Sequence, residues 1–354
     1  MFIEFFGLRE QPFGVSPDPR YLYLGPAHRE ALASLYYGIE ANRGFLSLVA
    51  RPGMGKTTLL FHLLAKFAHT ARTAFIFQTQ CNSREFMRFL LAEIGIENDV
   101  QDFVRMHEQF NRCLVQEARA GRRFIVVIDE AQNLDASVLE TVRLLSDFET
   151  PQAKLLQIIL VGQPTLADKL AHPALTQLRQ RITSLSGLTP LSSHETSRFI
   201  THRLQVAGYK GSGLFTPDAL EMIAQASEGI PRQINNYCFH SLSLACAERK
   251  KLVDGAIVAE VMNDLDISRF MTEVEAPLTM SSRLASGSLG RDSLNRAGES
   301  EPAGPDPHRA VPGNSKTAAD SLSPAEAVQH MRDVARLLQN WRSGLVRPPD
   351  TQPS

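Results

Sequence analysis

No stretch of this sequence is apolar for long enough to cross a bilayer. The strongest apolar runs, Phe124 to Ile128 and Leu155 to Val161, fall far short of the roughly 20 residues a spanning helix needs. The N-terminus lacks a basic-then-apolar secretory signal. Cysteine is scarce: Cys81, Cys113, Cys238 and Cys246 are widely spaced, form no Cys-x-x-Cys pair and have no histidine at metal-ligand spacing. That excludes a disulfide scaffold and a zinc knuckle and points to reduced core thiols. An excess of charge of either sign is also missing, with 37 basic against 38 acidic residues and a net charge of −1. The balance holds on both sides of residue 270, so a large sequence-independent DNA-binding surface is not indicated, and DNA stays open only through a local basic patch. A soluble cytoplasmic protein is expected, and any link to the inner membrane would go through partners.

What is present is a substantial apolar fraction, 43% of 354 residues, enough for more than one folding unit. The informative stretch is Phe45 to Leu60, an apolar run that breaks into Ala50-Arg-Pro-Gly-Met-Gly-Lys-Thr-Thr58 and then turns amphipathic. It reads as strand, phosphate-binding loop and helix start. Gly53 and Gly55 let backbone N–H groups point at phosphate oxygens, Lys56 brings positive charge near the β and γ phosphates, and Thr57 offers a hydroxyl to Mg²⁺. The helix dipole aims its positive end at the same place. The loop departs from the usual Gly-x-x-x-x-Gly-Lys-Ser/Thr at its first position, where Ala50 stands.

A second motif follows in Phe124-Ile-Val-Val-Ile-Asp-Glu-Ala-Gln132, a buried strand ending in two carboxylates. There Asp129 can hold Mg²⁺ through water and Glu130 can polarise the water that attacks a γ phosphate. A further strand, Leu155 to Val161, ends at Gln163, placed to orient that water beside the strand bearing Asp129. Arg179 and Arg181 precede a fifth strand, Ile182 to Leu188, away from the chain's own phosphate loop, so their functional reading is an arginine finger given to a neighbouring subunit.

Helical spacing is read over residues 27–42, 83–94, 102–120 and 137–148, with a short strand over residues 74–78. Strands alternating with helices argue a parallel sheet covered on both faces. Residues 1–30 are too aromatic for a loose tail and are expected to strap onto the domain that follows and to cover a nucleotide base. From residue 193 only helical patterns appear, near 195–207, 217–226, 231–248 and 254–266. Pro231 opens one of them, and Arg232 on its first turn can reach back to the γ phosphate. The resulting plan is an α/β nucleotide-binding domain with strap over 1–190, a helical lid over 191–268, a flexible Ser/Gly/Pro-rich linker over 269–321, an amphipathic helix over 322–345 and a disordered end over 346–354. The 322–345 helix starts at Ser323-Pro-Ala-Glu326, carries Trp341, the one tryptophan, and reads as a docking element.

Across residues 1 to about 268 the chain resembles the AAA+ ATPases of the general secretion pathway A (ExeA-like) type, with transposition ATPases as more distant relatives. The resemblance rests on Phe6-Gly-Leu-Arg-Glu-Gln-Pro-Phe13, Pro17-Asp-Pro-Arg-Tyr-Leu-Tyr23, His28-Arg-Glu-Ala-Leu32, Gly53 to Thr58, Asp129-Glu-Ala-Gln-Asn-Leu134, Leu160-Val-Gly-Gln-Pro164, Leu178-Arg-Gln-Arg-Ile182 and Gly229-Ile-Pro-Arg-Gln-Ile-Asn235. It implies a P-loop fold binding and hydrolysing ATP with Mg²⁺. Gly53, Gly55, Lys56 and Thr57 match Walker A, Asp129 and Glu130 Walker B, Gln163 sensor 1, Arg232 sensor 2, and Arg179 or Arg181 the finger acting in trans. It further implies a homo-oligomer that energises or regulates an envelope secretion or polysaccharide export machine. An ATP-dependent DNA switch and a scaffold of little turnover are the alternatives. Family members that assist secretin assembly continue into a transmembrane helix and a peptidoglycan-binding domain, neither of which is read here.

Overall fold

A computed structural model describes residues 2–77, 79–96, 102–149 and 154–265. These lie in one compact unit, Met1–Ile267; the second unit, Ser268–Ser354, falls outside the described residues, as do the expected linker, docking helix and end. Five strands form the sheet: β1 (Phe45–Val49), β2 (Ala71–Ile76), β3 (Arg123–Ile128), β4 (Leu156–Gly162) and β5 (Ile182–Gly187). Their order is β2-β3-β4-β1-β5 and every pairing is parallel. Twelve α-helices accompany them among the described residues: α1 (Phe2–Phe5), α2 (Pro26–Glu40), α3 (Lys56–Lys66), α4 (Ser83–Glu93), α5 (Phe103–Arg119), α6 (Ala136–Leu145), α7 (Pro164–Ala171), α8 (Thr176–Arg181), α9 (Ser193–Val206), α10 (Pro217–Ala226), α11 (Pro231–Ala247) and α12 (Gly255–Asp264).

The central strands are apolar without alternation because both faces are covered. Phe124, Val126 and Ile128 of β3 join Ile158 and Leu160 of β4 in a cluster with Phe86 and Leu90 of α4, Phe110 and Leu114 of α5 and Val142 of α6. The intervening Ile125, Val127, Ile159 and Val161 are equally buried. On that other side Gly38 of α2 lets the helix close on Leu46, and Phe61 of α3 meets Phe75 of β2 edge to face at 5.6 Å. β5 is an edge strand, and its Thr183, Leu185 and Gly187 are exposed.

Local chemistry sets the element ends. Asn82 and Glu85 form a capping box on α4, Ser192 and Glu195 on α9, and Pro26, Pro164, Pro217 and Pro231 sit in the first turns of their helices. The parallel sheet with flanking helices matches the expected fold class. Its second strand begins at Ala71, three residues ahead of the expected 74–78, because its register with β3 runs from Arg123 to Ile128. The helix expected to reach 148 stops at Leu145, where the Ser146 hydroxyl donates to the Arg143 carbonyl at 2.6 Å.

A second apolar cluster is built by α9 to α12, and it corrects the expected placement of the N-terminal strap. Phe2, Phe6, Phe13 and Tyr21 are buried there with Phe199, Ile223, Leu242 and Val258, not in the sheet's core. The reason is polar as well as apolar. Arg203 of α9 is buried with its guanidinium 4.7 Å from the Tyr21 ring centroid and donates from Nε to the Pro12 carbonyl at 2.6 Å. Burial pulls the pKa of Arg203 down to about 10. A one-turn helix at Pro19–Tyr21 also touches α3, so the strap spans both clusters.

Gly229 tests the turn that joins α10 to α11. Its φ is +67°, and a Cβ there would lie 2.0 Å from the Leu191 carbonyl oxygen. Gly229→Ala is expected to destabilise the fold by about 1–3 kcal/mol, read as a lowered Tm in thermal denaturation.

Candidate functional site

Parallel strands deliver their carboxyl ends to one edge of the sheet, and the loop after β1 wraps that edge. Gly53 and Gly55 adopt φ of +78° and +83°, the left-handed values that glycine reaches without strain. No other residue from Ala50 to Thr58 has a positive φ. Ala50 is buried at the strand end and its N–H donates to the Gly162 carbonyl at 3.0 Å, so alanine satisfies the first loop position without backbone strain. Arg51 projects outward and lies 3.8 Å from Glu228, Pro52 is exposed, Met54 is fully buried, and Thr58 continues the first turn of α3.

Lys56 is 6% exposed, and its ammonium donates to the Ala50 and Arg51 carbonyls at 3.1 and 3.3 Å. Burial lowers its pKa, while the Glu130 and Asp129 carboxylates act in the opposite direction. Asp129, also 6% exposed, accepts from the Thr57 hydroxyl at 3.2 Å and from the Glu130 N–H at 2.9 Å. Desolvation raises its pKa against those two hydrogen bonds. The Thr57–Asp129 contact ties the start of α3 to the end of β3. It also sets two hard oxygens side by side, the donor set that suits a magnesium ion.

Glu130 follows in a left-handed conformation, φ 51° and ψ 36°. Its Oε2 accepts from Gln163 Nε2 at 3.1 Å and from Gln132 Nε2 at 2.5 Å. Gln132 in turn accepts the Gln163 backbone N–H at 3.0 Å, and its carbonyl takes the Lys169 ammonium at 2.7 Å. Arg232 belongs to the same edge: its N–H donates to the Gly53 carbonyl at 3.1 Å, and its charge lowers the Lys56 pKa.

The structure thus brings together Ala50 to Thr58, Asp129, Glu130, Gln163 and Arg232. It does not bring Arg179 or Arg181 to them. Both lie on α8, which leads into Ile182, the partner of Phe45 at the opposite end of β1 from the loop. Arg179 is exposed and donates to the Ala171 carbonyl at 3.3 Å, whereas Arg181 is held by Asp147, by the Ser146 hydroxyl at 2.6 Å and by the Arg143 carbonyl. Sequence reasoning passed over Gln132 and His28 as site residues. Gln132 lies two residues past Glu130, and the tight turn after β3 was its one signal. His28 reaches the loop from α2, donating to the Met54 carbonyl at 3.0 Å, and spacing gave no sign of that contact.

A loop of this shape after β1, carboxylates after β3 and a polar strand end after β4 define the AAA+ class of P-loop proteins. A family described as AAA domain matches residues 39–170. Solved structures of Aeropyrum pernix ORC2 and Pyrobaculum aerophilum Cdc6p share the fold, with TM-scores of 0.56 and 0.54 at 14% and 19% identity. The first covers 72% of this chain and 71% of its own, the second 68% and 67%. General secretion pathway protein A of Aeromonas hydrophila is 40% identical over 265 residues, 73% of this chain. An uncharacterized HTH-type transcriptional regulator of Methanocaldococcus jannaschii is 27% identical, covering 68% of this chain and 66% of its own length.

The chain has the P-loop AAA+ fold, and over 73% of its length it is similar to general secretion pathway protein A. It spans 47% of the length of that Aeromonas relative. Among the described residues no helix is long and apolar enough to cross a membrane.

The buried carboxylate gives a prediction with a definite sign. A carboxyl whose folded pKa is raised binds more protons folded than unfolded, so its ionisation lowers stability as pH rises through the window above the ordinary value of 3.8. Asp129→Asn removes that cost while keeping groups able to bond Thr57 and the Glu130 N–H. Its Tm in nucleotide-free buffer at pH 7 is expected to match or exceed wild type, with the difference shrinking as pH is lowered toward 4.

Proposed function

We propose that the chain binds ATP at this edge and hydrolyses it by in-line attack of water on the γ phosphate, within a homo-oligomer. The observation that carries the reading is the convergence of Lys56, Thr57, Asp129, Glu130 and Gln163 beside one loop. Two strands and the loop contribute to it, which is hard to explain by packing alone. Lys56 neutralises charge on the transferring phosphoryl group, and Arg232 adds charge from α11. Glu130 accepts a proton from the water as it attacks, and Gln163 holds that carboxylate and the water in line. Gln132 fixes the far side of the same carboxylate. Thr57 and Asp129 would hold a magnesium ion, which when bound supplies further charge neutralisation on the phosphates.

The site is completed in this reading by a neighbour's arginine. Arg179 is the better of the two, because Arg181 is engaged by Asp147, Ser146 and Arg143 of its own chain, whereas exposed Arg179 makes a single carbonyl contact. The strap and the α9–α12 helices act in the proposal as the base cover and the lid, and residues 322–345 dock a partner protein. The 40% identity to general secretion pathway protein A supports a role in an envelope secretion or polysaccharide export machine, worked from the cytoplasmic side through partners.

The mechanism is tested by phosphate release and nucleotide binding on the same samples. Glu130→Gln is expected to reduce release at least a hundredfold with ATP affinity kept, and Arg179→Ala to reduce it by about 10³. Arg181→Ala should act mainly on stability. Release unchanged in Glu130→Gln would sink the reading.

A further inference from the structure

The phosphate loop is held from behind by two donors that belong to other parts of the fold. A trans peptide points its C=O and the following N–H in opposite directions, and no cis peptide occurs among the described residues. The Gly53 carbonyl shares its peptide with the Met54 N–H, and the Met54 carbonyl shares its peptide with the Gly55 N–H. Whatever fixes those carbonyls therefore aims those N–H groups. The Gly53 carbonyl is taken by the Arg232 N–H of α11 at 3.1 Å. The Met54 carbonyl is taken by the His28 imidazole of α2 at 3.0 Å.

His28 is an unusual residue for a packing role. It is 3% exposed, its Nδ1 is buried without a hydrogen-bond partner, and burial lowers its pKa. A buried unpaired nitrogen carries a cost that a hydrocarbon side chain would avoid. A carbonyl oxygen only accepts, so Nε2 carries the hydrogen and the ring is held as the Nε2–H tautomer. The bond falls between two glycines with positive φ, the most permissive part of the loop. The imidazole also lies close to Gly55 itself, 3.8 Å from where a Cβ would stand.

We infer that His28 is a positioning residue for the phosphate loop: by holding the Met54 carbonyl it aims the Gly55 N–H into the cradle and so sets affinity for a nucleoside di- or triphosphate. The inference rests on the reading of this loop as the nucleotide site. An aimed N–H holds the phosphates alike before and during reaction, so its loss raises KM and leaves kcat nearly unchanged.

The experiment uses the full chain with two variants that fill the space and differ in the donor. His28→Gln keeps an N–H donor at similar reach, and His28→Leu has none. ADP and ATP affinity are measured by titration calorimetry, KM and kcat by phosphate release, and folding by thermal denaturation. For His28→Leu the expectation is a three- to tenfold loss of affinity, roughly what one hydrogen bond supplies, with KM rising in step and kcat within about twofold. His28→Gln should recover most of that loss. If His28→Leu does not fold, His28→Ala takes its place. Equal affinity in wild type and the donor-free variant overturns the inference, and so does an equal loss in both variants. A wild type that binds no ATP overturns the nucleotide-site reading beneath it.

Discussion

The site depends on burying two opposite charges, Lys56 and Asp129, at one edge of the sheet without pairing them directly. Each is 6% exposed, and for each burial disfavours the charged form more than the other's attraction favours it. Neither forms an ion pair with the other among the described residues. Lys56 instead leans on the Ala50 and Arg51 carbonyls, and Asp129 on Thr57 and a backbone N–H. Such an arrangement is costly for the chain alone and suits a polyanion with its cation, which would satisfy both groups together. The rest of the fold positions these two side chains. The parallel sheet brings their strands to one edge, α3 presents Thr57, and β4 supplies Gln163 between β3 and β1.

Where chemistry is local in sequence, the fold and the candidate site were legible from residue type and order. The apolar strands, the loop from Ala50 to Thr58, the Asp129-Glu130 pair and Gln163 each announce themselves by residue type and position. Ala50 was legible only as a departure; its backbone shows why it fits, since strand geometry, not a positive φ, is what the first position requires. Contacts made across long separations were not legible. Nothing in the spacing of α2 sends His28 to the Met54 carbonyl, and nothing in residues 1–30 sends Phe2 and Phe13 to α9–α12 instead of the sheet. Aromatic content revealed that the strap was buried, while the choice of partner came from tertiary packing and from the Arg203 cluster.

Two elements outside the sheet meet the loop, and both do so through its carbonyls. α11 belongs to the helical cluster and α2 to the sheet's cover, so the loop's outward face is where those two layers join. A shift of α11 would release the Gly53 carbonyl and slacken the Met54 N–H. The Arg51–Glu228 contact and the close approach of Arg232 Cβ to Gly53 tighten the same junction. The arginines of α8 lie at the other end of β1 from the loop, Arg179 exposed and Arg181 engaged by Asp147, Ser146 and Arg143. In the proposed reading one chain carries a loop at one end of the sheet and the candidate finger Arg179 at the other, a layout that head-to-tail assembly would turn into complete sites.

The rate of phosphate release per chain, measured with saturating ATP and Mg²⁺ across a wide range of protein concentration, tests the central claim most directly. A site completed by a neighbour predicts a per-chain rate that climbs steeply with concentration and levels off once the oligomer has formed. No release at any concentration, or a per-chain rate that is the same from dilute monomer upward, would contradict it.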